Sequence, residues 1–341
     1  MKKNLLSFLT IFFLVSILTA CSSGSANSND KLTMVWYPNE SGNDLKAARD
    51  EIGKVIEEVT GKKIEHKLTT DYAIAIETIA NGNAQLAFMG AQGYIEAKNK
   101  NDKIEPLVVP SGKSGTIDDA VYYSWLAVKK AEAENYKVNG EYAIDNIVNS
   151  NFSFVSSSST SGFKVPSSDI IAHFSKEDQW KDLNPEDLME SGPFFKEVLY
   201  GDSHQGSAVN LLSGRADVAA FCDTCVGNYV EIAEGEANQK GSIYKVKADA
   251  AEPFNTVAGE EFTLINVTPV LNAPFAVNMD NLSEEDFKKI QEVLVSDVVS
   301  KNEKIFVPED ADMAGLFTKT ADEKFVVAED SWFDPIRELS K

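Results

Sequence analysis

Residues 31–90 alternate short apolar runs with longer amphipathic ones, and their sequence is KLTMVWYPNESGNDLKAARDEIGKVIEEVTGKKIEHKLTTDYAIAIETIANGNAQLAFMG. The apolar runs have the length of buried strands, whereas the segments between them repeat apolar residues at helical spacing. The pattern predicts, in order, a strand over 31–36, a helix over 42–60, a strand over 64–68, a helix over 73–80 and a strand over 86–89. Strands that alternate with helices in this way indicate a parallel α/β sheet.

The same alternation begins again later in the chain. The pattern predicts helices over 166–174 and 286–299, and strands over 122–128, 152–155, 216–220, 263–267 and 274–277. The strand at 122–128 leaves the first α/β unit and the strand at 274–277 returns to it. We therefore predict two α/β lobes, 31–125 plus 273–341 and 126–272, joined by a two-segment hinge with a cleft between them.

The N-terminus has the pattern of a secretory signal. Lys2 and Lys3 precede an apolar run over 5–18, which is too short for a stable membrane span, and Ala20-Cys21 follows it. Residues 18–21, Leu-Thr-Ala-Cys, resemble the bacterial lipobox, in which the cysteine carries a diacylglycerol. An ordinary signal peptide with an incidental Cys21 is the alternative. We predict a lipoprotein signal peptide over 1–20, then a lipid anchor and flexible tether over 21–30, which place the protein outside the cytoplasm on the cell membrane.

Charge and length restrict the classes of function. The formal net charge of the 341-residue chain is −21, and removal of residues 1–20 with their two lysines makes it −23. Nucleic-acid binding needs Lys and Arg to neutralise phosphates, so this acidic chain argues against a nucleic-acid partner. The length exceeds that of an ordinary single core, which agrees with two lobes.

The sharpest local signal for binding is a hydroxyl-rich stretch before a predicted helix, Ser156-Ser157-Ser158-Ser159-Thr160-Ser161-Gly162. Hydroxyls and the free N–H groups of a helix start can together bind an oxyanion. The alternative is a serine-rich loop in which one serine caps the helix. Ligands of open α/β sheets bind beyond the carboxyl ends of strands. Polar residues follow predicted strands at Asn39-Glu40-Ser41, Asp71-Tyr72, Gln92 and Cys222-Asp223-Thr224.

Four segments together resemble a known family. They are Thr70-Asp71-Tyr72-Ala73, Tyr122-Tyr123-Ser124, the stretch STSGFKVP over 159–166, and Ser203-His204 followed by GRADVA over 214–219. Their order and spacing over residues 31 to 230 are similar to those of substrate-binding proteins of phosphate, phosphite and phosphonate ABC importers. The resemblance implies an α/β, type II periplasmic-binding-protein-like fold, in which the ligand is enclosed between two lobes.

The resemblance also implies which residues hold the ligand. Hydroxyl, phenol and amide donors would bind an anion without Arg or Lys. We expect Tyr122 and not Tyr123 to face the cleft, because neighbouring residues of a strand point to opposite faces. Tyr72 as a wedge between the lobes and His204 as an ordinary core residue are the alternatives. The predicted ligand-binding residues are Tyr72, Gln92, Tyr122, Ser159, Thr160, Ser161, His204 and Asp223.

Two departures from the family pattern bear on the ligand. Relatives that bind aminoalkyl phosphonates place acids in the second lobe to hold the ammonium group, and one of these positions is Ala273 in this chain. Asp223 lies near the other acidic position but is displaced from it. An aminophosphonate is therefore less expected than a phosphate-like or simple phosphonate oxyanion. The same fold and importer role with a different small organic solute is the alternative function.

Cys222 and Cys225 form a C-x-x-C pair. We expect a structural disulfide or two free thiols, since a disulfide is permitted outside the cytoplasm. A thiol-redox enzyme that uses this pair is a less favoured alternative, as is a surface adhesin. The three histidines have no metal-ligand spacing, so we predict no metal.

These patterns predict a solute receptor and not an enzyme, with no cofactor. The chain has no Gly-x-Ser-x-Gly elbow, no His-Glu-x-x-His motif and no Walker phosphate loop. The expected partners are a small-molecule anion, the permease and ATPase subunits of an ABC transporter, and the membrane through the lipid anchor. We expect the protein to act as a monomer.

Overall fold

The computed structural model describes residues 30–339. The predicted signal peptide over 1–20 and the predicted lipidation site at Cys21 lie outside these residues, as does most of the predicted tether. Within residues 30–339, no helix combines the length and the apolar composition that a membrane span requires.

The first predicted α/β unit is present and continues beyond residue 90. It consists of β1 (Lys31–Trp36), α1 (Lys46–Thr60), β2 (Lys63–Leu68), α2 (Tyr72–Ala80), β3 (Leu86–Phe88), α3 (Ala91–Lys100) and β4 (Ile104–Pro110). Helix α3 and strand β4 are not among the elements predicted from the sequence. Gly61 ends α1 in the left-handed conformation with φ 69°, which glycine adopts without a side-chain penalty.

Helix α1 begins at Lys46, later than the predicted start at residue 42. A short 3₁₀ turn over Pro38–Glu40 follows β1 instead. The Arg49 guanidinium donates to the backbone carbonyls of Glu40 and Gly42, the second over 2.8 Å. Because these carbonyls are satisfied outside a helix, the segment remains a loop at the end of β1.

Residues 121–271 contain the second unit. Its elements are β5 (Val121–Lys129), β6 (Lys137–Val138), β7 (Glu141–Tyr142), β8 (Asn151–Phe154), α4 (Val165–Phe174), α5 (Pro185–Met189), β9 (Glu197–Tyr200), α6 (His204–Leu212), β10 (Val218–Cys222), α7 (Asp223–Val226), β11 (Val230–Glu234), β12 (Ile243–Val246) and β13 (Glu261–Leu271). The strands predicted at 122–128 and 152–155 are present. Strand β10 begins later than predicted, and β13 extends beyond the predicted 263–267 at both ends.

The remaining elements follow the return of the chain to the first unit. They are β14 (Phe275–Asn278), α8 (Glu284–Leu294), α9 (Asp297–Ser300), β15 (Phe306–Pro308), β16 (Phe317–Lys319), β17 (Phe325–Val326) and α10 (Asp334–Glu338). The single helix predicted over 286–299 is wrong, because the chain is extended at Ser296 between α8 and α9. The Ser296 hydroxyl donates to the carbonyl of Val293 over 2.7 Å, a local bond that competes with helix continuation.

The strands form two large sheets, which confirms the predicted α/β class. The first has the order β17-β4-β14-β3-β1-β2, with β1 parallel to β2 and β3. The second has the order β11-β12-β13-β5-β10-β8-β9. Strands β5 and β13 pair antiparallel from Val121↔Leu271 to Lys129↔Phe262, so both crossing segments enter the second sheet side by side. The exact lobe limits, 125/126 and 272/273, stay a prediction.

Apolar side chains cover both faces of the first sheet. Met34 and Trp36 of β1 pack with Ile52 of α1 on one face, and Val35 packs with Ile76 of α2 on the other. This alternation is the period of a strand. With helices on both faces, the strand ends remain as the place where a ligand can enter.

Candidate functional site

A cleft of about 1180 Å³ lies between the two sheets. Seven of the eight predicted ligand-binding residues line it, together with residues from the turn after β1. The inner lining includes Tyr37, Asn39, Glu40, Tyr72, Tyr122, Ser159, Thr160, Ser161, His204, Cys222 and Asp223. Gln92 does not line this cleft.

The hydroxyl-rich loop follows β8 and leads through one π-helical turn, Thr160–Lys164, into α4. Ser159 is the cap of this turn, since its Oγ accepts from the N–H of Gly162 over 3.0 Å. The capping interpretation and the cleft interpretation thus both apply to Ser159. The Ser161 hydroxyl is buried and has no hydrogen-bond partner within residues 30–339, so it can donate to a ligand.

Thr160 joins the loop to the first unit. The backbone N–H of Gln92 donates to Oγ1 of Thr160 over 2.9 Å. The Gln92 side-chain amide instead donates to Glu96 over 2.9 Å, so ligand contact by Gln92 stays a prediction. Gly90 permits this approach, because a Cβ at that position would lie 2.7 Å from Oγ1 of Thr160.

His204 begins α6 and is 3% exposed. Its Nδ1 accepts from the backbone N–H of Cys222 over 3.0 Å, and its Nε2 lies 3.3 Å from Oγ of Ser159. Burial lowers the pKa of His204 to about 3, so the ring is neutral at physiological pH. A neutral ring that accepts at Nδ1 carries its proton on Nε2, and His204 is therefore an uncharged donor.

Asn39 connects the predicted residues of the two units. Its side-chain amide donates to the phenol oxygen of Tyr72 over 2.7 Å, and its Oδ1 accepts from the N–H of His204 over 3.0 Å. Tyr37 packs on Tyr72 with 4.1 Å between ring centroids. Asn39 is among the polar residues predicted to follow a strand, but no role was predicted for it. The available signal was its position directly after the buried strand β1.

Both predicted tyrosines are buried. Burial raises the pKa of the Tyr72 phenol and that of the Tyr122 phenol, so both remain protonated donors. Tyr122 lines the cleft, whereas Tyr123 packs against a core cluster of the second unit. This is the arrangement that strand alternation requires.

Asp223, Cys222 and Cys225 also line the cleft. The Asp223 carboxylate accepts from the N–H of Tyr123 over 2.9 Å and from Asn238 over 3.3 Å, and burial raises its pKa to about 6. Cys222 and Cys225 are joined by a disulfide bond. Although their sulfur atoms lie within 4.8 Å of a His204 ring nitrogen, a disulfide offers no thiolate to a metal.

Several of these groups share one property. A protein donor already occupies an acceptor position on each. The hydroxyls of Tyr72, Ser159 and Thr160 therefore keep a proton for another partner, whereas the Nε2 proton of His204 points at Oγ of Ser159. The donor–acceptor pairs are Asn39 with Tyr72, the Gln92 N–H with Thr160, the Gly162 N–H with Ser159 and the Cys222 N–H with His204. A cleft of uncharged donors is suited to an oxyanion, because such donors bind negative charge strongly where water is excluded.

Comparison with known proteins agrees with this geometry. The model of a family described as the periplasmic substrate-binding protein of phosphonate ABC transporters matches residues 34–333. The phosphate-import protein PhnD of Mycolicibacterium smegmatis is 27% identical over 286 residues, which are 80% of this chain and 83% of that protein.

Solved structures show the same fold. A binding protein of a phosphonate ABC transporter from Pseudomonas aeruginosa has a TM-score of 0.61 at 19% identity, with 91% of this chain and 85% of that chain covered. PhnD1 from Prochlorococcus marinus, solved with methylphosphonate, also has a TM-score of 0.61, at 16% identity, with 91% and 97% covered. These likenesses confirm the predicted periplasmic-binding-protein-like fold.

The family match covers nearly all of the described residues, and it includes the hydroxyl-rich loop, both tyrosines and His204. The resemblance found in the sequence is thereby confirmed. The chain belongs to the family of periplasmic substrate-binding proteins of phosphonate ABC transporters.

Proposed function

We propose that this protein captures a phosphorus oxyanion, phosphate or a simple phosphonate, by closing its two lobes around it. The observation that carries the proposal is the set of uncharged donors, Tyr72, Ser159, Thr160, Ser161 and His204, around one cleft. These donors come from both units and can stabilise the negative charge of a tetrahedral anion. The net charge of −21 does not prevent binding, because the hydroxyl, phenol and imidazole groups direct the positive ends of their dipoles at the anion.

The contacts across the cleft support a hinge mechanism. Hydrogen bonds join the units at Asn39–His204, Gln92–Thr160, Glu96–Ser158, Asp44–Tyr229 and Gly315–Asn228. A ligand that adds bonds to both walls favours the state in which these contacts form. The closed form is then the one that the permease and ATPase of the importer receive.

The location and assembly of the protein are part of the same proposal. Members of the family work outside the cytoplasm, and the lipid on Cys21 would keep this receptor near its permease. One cleft per chain is sufficient for capture, so a monomer is the expected form. The ligand is released unchanged, which separates a receptor from a thiol-redox enzyme.

The test is a binding panel on the purified protein. Calorimetry and thermal shift are measured with phosphate, phosphite, methylphosphonate, aminoethylphosphonate, sulfate and amino acids. Saturable binding of a phosphorus oxyanion, recovered unchanged, is the expected result. If only another solute binds, the importer role stands and the ligand class is wrong. The change of ligand would then be assigned to the region of Ala273, which lines the cleft. No binding of any solute contradicts the receptor function.

A further inference from the structure

Glu40 is a buried carboxyl group in the wall of the cleft. It ends the turn Pro38–Glu40 after β1, lines the cleft and is 9% exposed. Its Oε2 is buried and has no hydrogen-bond partner within residues 30–339. A buried carboxylate oxygen without a partner has lost its hydrogen bonds to water and forms none with the protein. This oxygen therefore points to a contact that a ligand would make.

Two other carboxylates of the cleft differ from Glu40. Asp223 accepts from Tyr123 and Asn238, and Asp44 accepts from the Tyr229 phenol over 2.8 Å. The neighbouring cation also leaves the Glu40 carboxyl free, because the Arg49 guanidinium donates to the backbone carbonyl of Glu40. Among these three acids, Glu40 is the one with a buried carboxylate oxygen that has no hydrogen-bond partner within residues 30–339.

The Glu40 carboxyl group remains protonated at neutral pH. Burial raises the pKa of Glu40 to about 8, against the opposing effects of its own backbone, Asn39 and Arg49. The pKa of His204 is lowered to about 3 and that of Asp223 raised to about 6. Burial raises the pKa of each facing phenol above its ordinary value, at Tyr37, Tyr72, Tyr122 and Tyr229. Burial also lowers the pKa of the Arg49 guanidinium.

Candidate oxyanions differ in the protons that they bring. Hydrogen phosphate keeps a P–OH group through the neutral and mildly alkaline range. Methylphosphonate loses its last proton near neutral pH, and sulfate has none. Two negative charges in a closed cleft repel each other strongly unless a proton lies between them.

We propose that Glu40 and the bound oxyanion share one proton, so that in alkaline solution the cleft retains hydrogen phosphate and releases sulfate and the methylphosphonate dianion. This inference rests on the proposed function and specifies its ligand. Near neutral pH, the Glu40 carboxylic acid donates its O–H to an oxygen of any of the three anions. In alkaline solution, the Glu40 carboxylate accepts a hydrogen bond from the P–OH of hydrogen phosphate, and the other two anions have no proton to give.

The experiment measures Kd by calorimetry for phosphate, methylphosphonate and sulfate at about pH 7 and about pH 9.5, at constant ionic strength. The wild-type protein is expected to lose roughly tenfold to thirtyfold in affinity for sulfate and methylphosphonate relative to phosphate as the pH rises. Glu40→Gln keeps the size of the side chain and cannot ionise. It is expected to lose this roughly tenfold to thirtyfold change, so that only the titration of the ligands themselves alters the ratio between the two pH values.

Asp44→Asn is the matched control, since it removes a nearby charge whose oxygen already has a partner. It is expected to keep the pH-dependent ratio of the wild type, even if closure is weaker. Thermal unfolding of the ligand-free variants shows that each is folded. A wild-type ratio that does not change with pH, or an unchanged pH dependence in Glu40→Gln, overturns the role of Glu40 alone. Wild type that binds methylphosphonate but not phosphate overturns this inference alone. Failure of wild type to bind either phosphate or methylphosphonate at both pH values overturns the proposed function and this inference together.

Discussion

The backbone N–H of Cys222 donates to Nδ1 of His204 over 3.0 Å. This bond places the proton of the neutral ring on Nε2, which lies 3.3 Å from Oγ of Ser159. A donor of the cleft is therefore oriented by the backbone at the start of the C-x-x-C turn, and Gln205 ties the same turn to Asn39 through the carbonyls of Cys225 and Asn39. Substitutions in this turn should consequently alter the affinity for the ligand.

The first prediction concerns acid stability. His204 has a pKa of about 3 in the folded protein and an ordinary value of 6.5, so below about pH 6.5 the unfolded chain takes up a proton that the folded chain does not. The contribution of His204 is complete above that pH and is lost as the pH falls toward 3. In His204→Asn, the slope of unfolding free energy against pH should fall by about 1.4 kcal/mol per pH unit. Urea unfolding of the two proteins between about pH 4 and about pH 6 measures this difference, and equal slopes contradict it.

The second prediction concerns the disulfide. Replacing both Cys222 and Cys225 by serine removes the cross-link and should lower the free energy of unfolding by about 2 kcal/mol. Ligand affinity should fall as well, because the turn that orients His204 becomes looser. Thermal unfolding and calorimetry, each with and without a dithiol reductant, test both effects. Reductant should lower the unfolding temperature and the ligand affinity of the wild type and should change neither in the double variant. A wild type in which reductant changes neither quantity contradicts the prediction.

The third prediction concerns Thr160. Its Oγ1 accepts from Gln92, so its O–H remains for the anion. Thr160→Val removes this donor and should weaken oxyanion binding roughly tenfold to a hundredfold, since a hydrogen bond to a charged group contributes about 1.5–3 kcal/mol. Thr160→Ser retains the hydroxyl and should bind within a few-fold of wild type. Wild-type affinity in Thr160→Val, measured by calorimetry, would exclude this donor role.

The fourth prediction concerns closure at Gly90. An alanine Cβ there would lie 2.7 Å from Oγ1 of Thr160, across the cleft, and would hold the two walls apart. Gly90→Ala should therefore reduce ligand affinity by roughly tenfold or more. The unfolding temperature of the ligand-free protein should change little, because the open state relieves the contact. If the unfolding temperature of Gly90→Ala falls by the same amount with and without ligand, the clash is not specific to the closed state.

The pattern of the chain predicted most of the elements that build the cleft. Strand β1, helices α1 and α2, and strands β5 and β8 arise from apolar spacing within a few turns of chain, which is a local property. The missed strand β4 contains the apolar run Leu107-Val108-Val109, but Pro106 and Pro110 in the same strand argue against a strand interior. The motifs placed Ser159, Thr160, Ser161 and His204 at strand and helix ends, where side chains reach a ligand.

The chemistry of these residues depends on contacts between segments that are far apart in the sequence. Asn39 meets His204 across 165 residues of sequence, and Gln92 meets Thr160 across 68, so no local pattern reveals that each acceptor is already occupied. Within the part of the chain that the structure describes, the same packing leaves Oε2 of Glu40 without a hydrogen-bond partner. Local spacing accounts for most of the strands and helices that build the cleft and for the motifs of the family, because short-range spacing encodes burial. Only the folded chain determined which protons face the ligand, because hydrogen-bond partners and dielectric surroundings are set by contacts between distant segments.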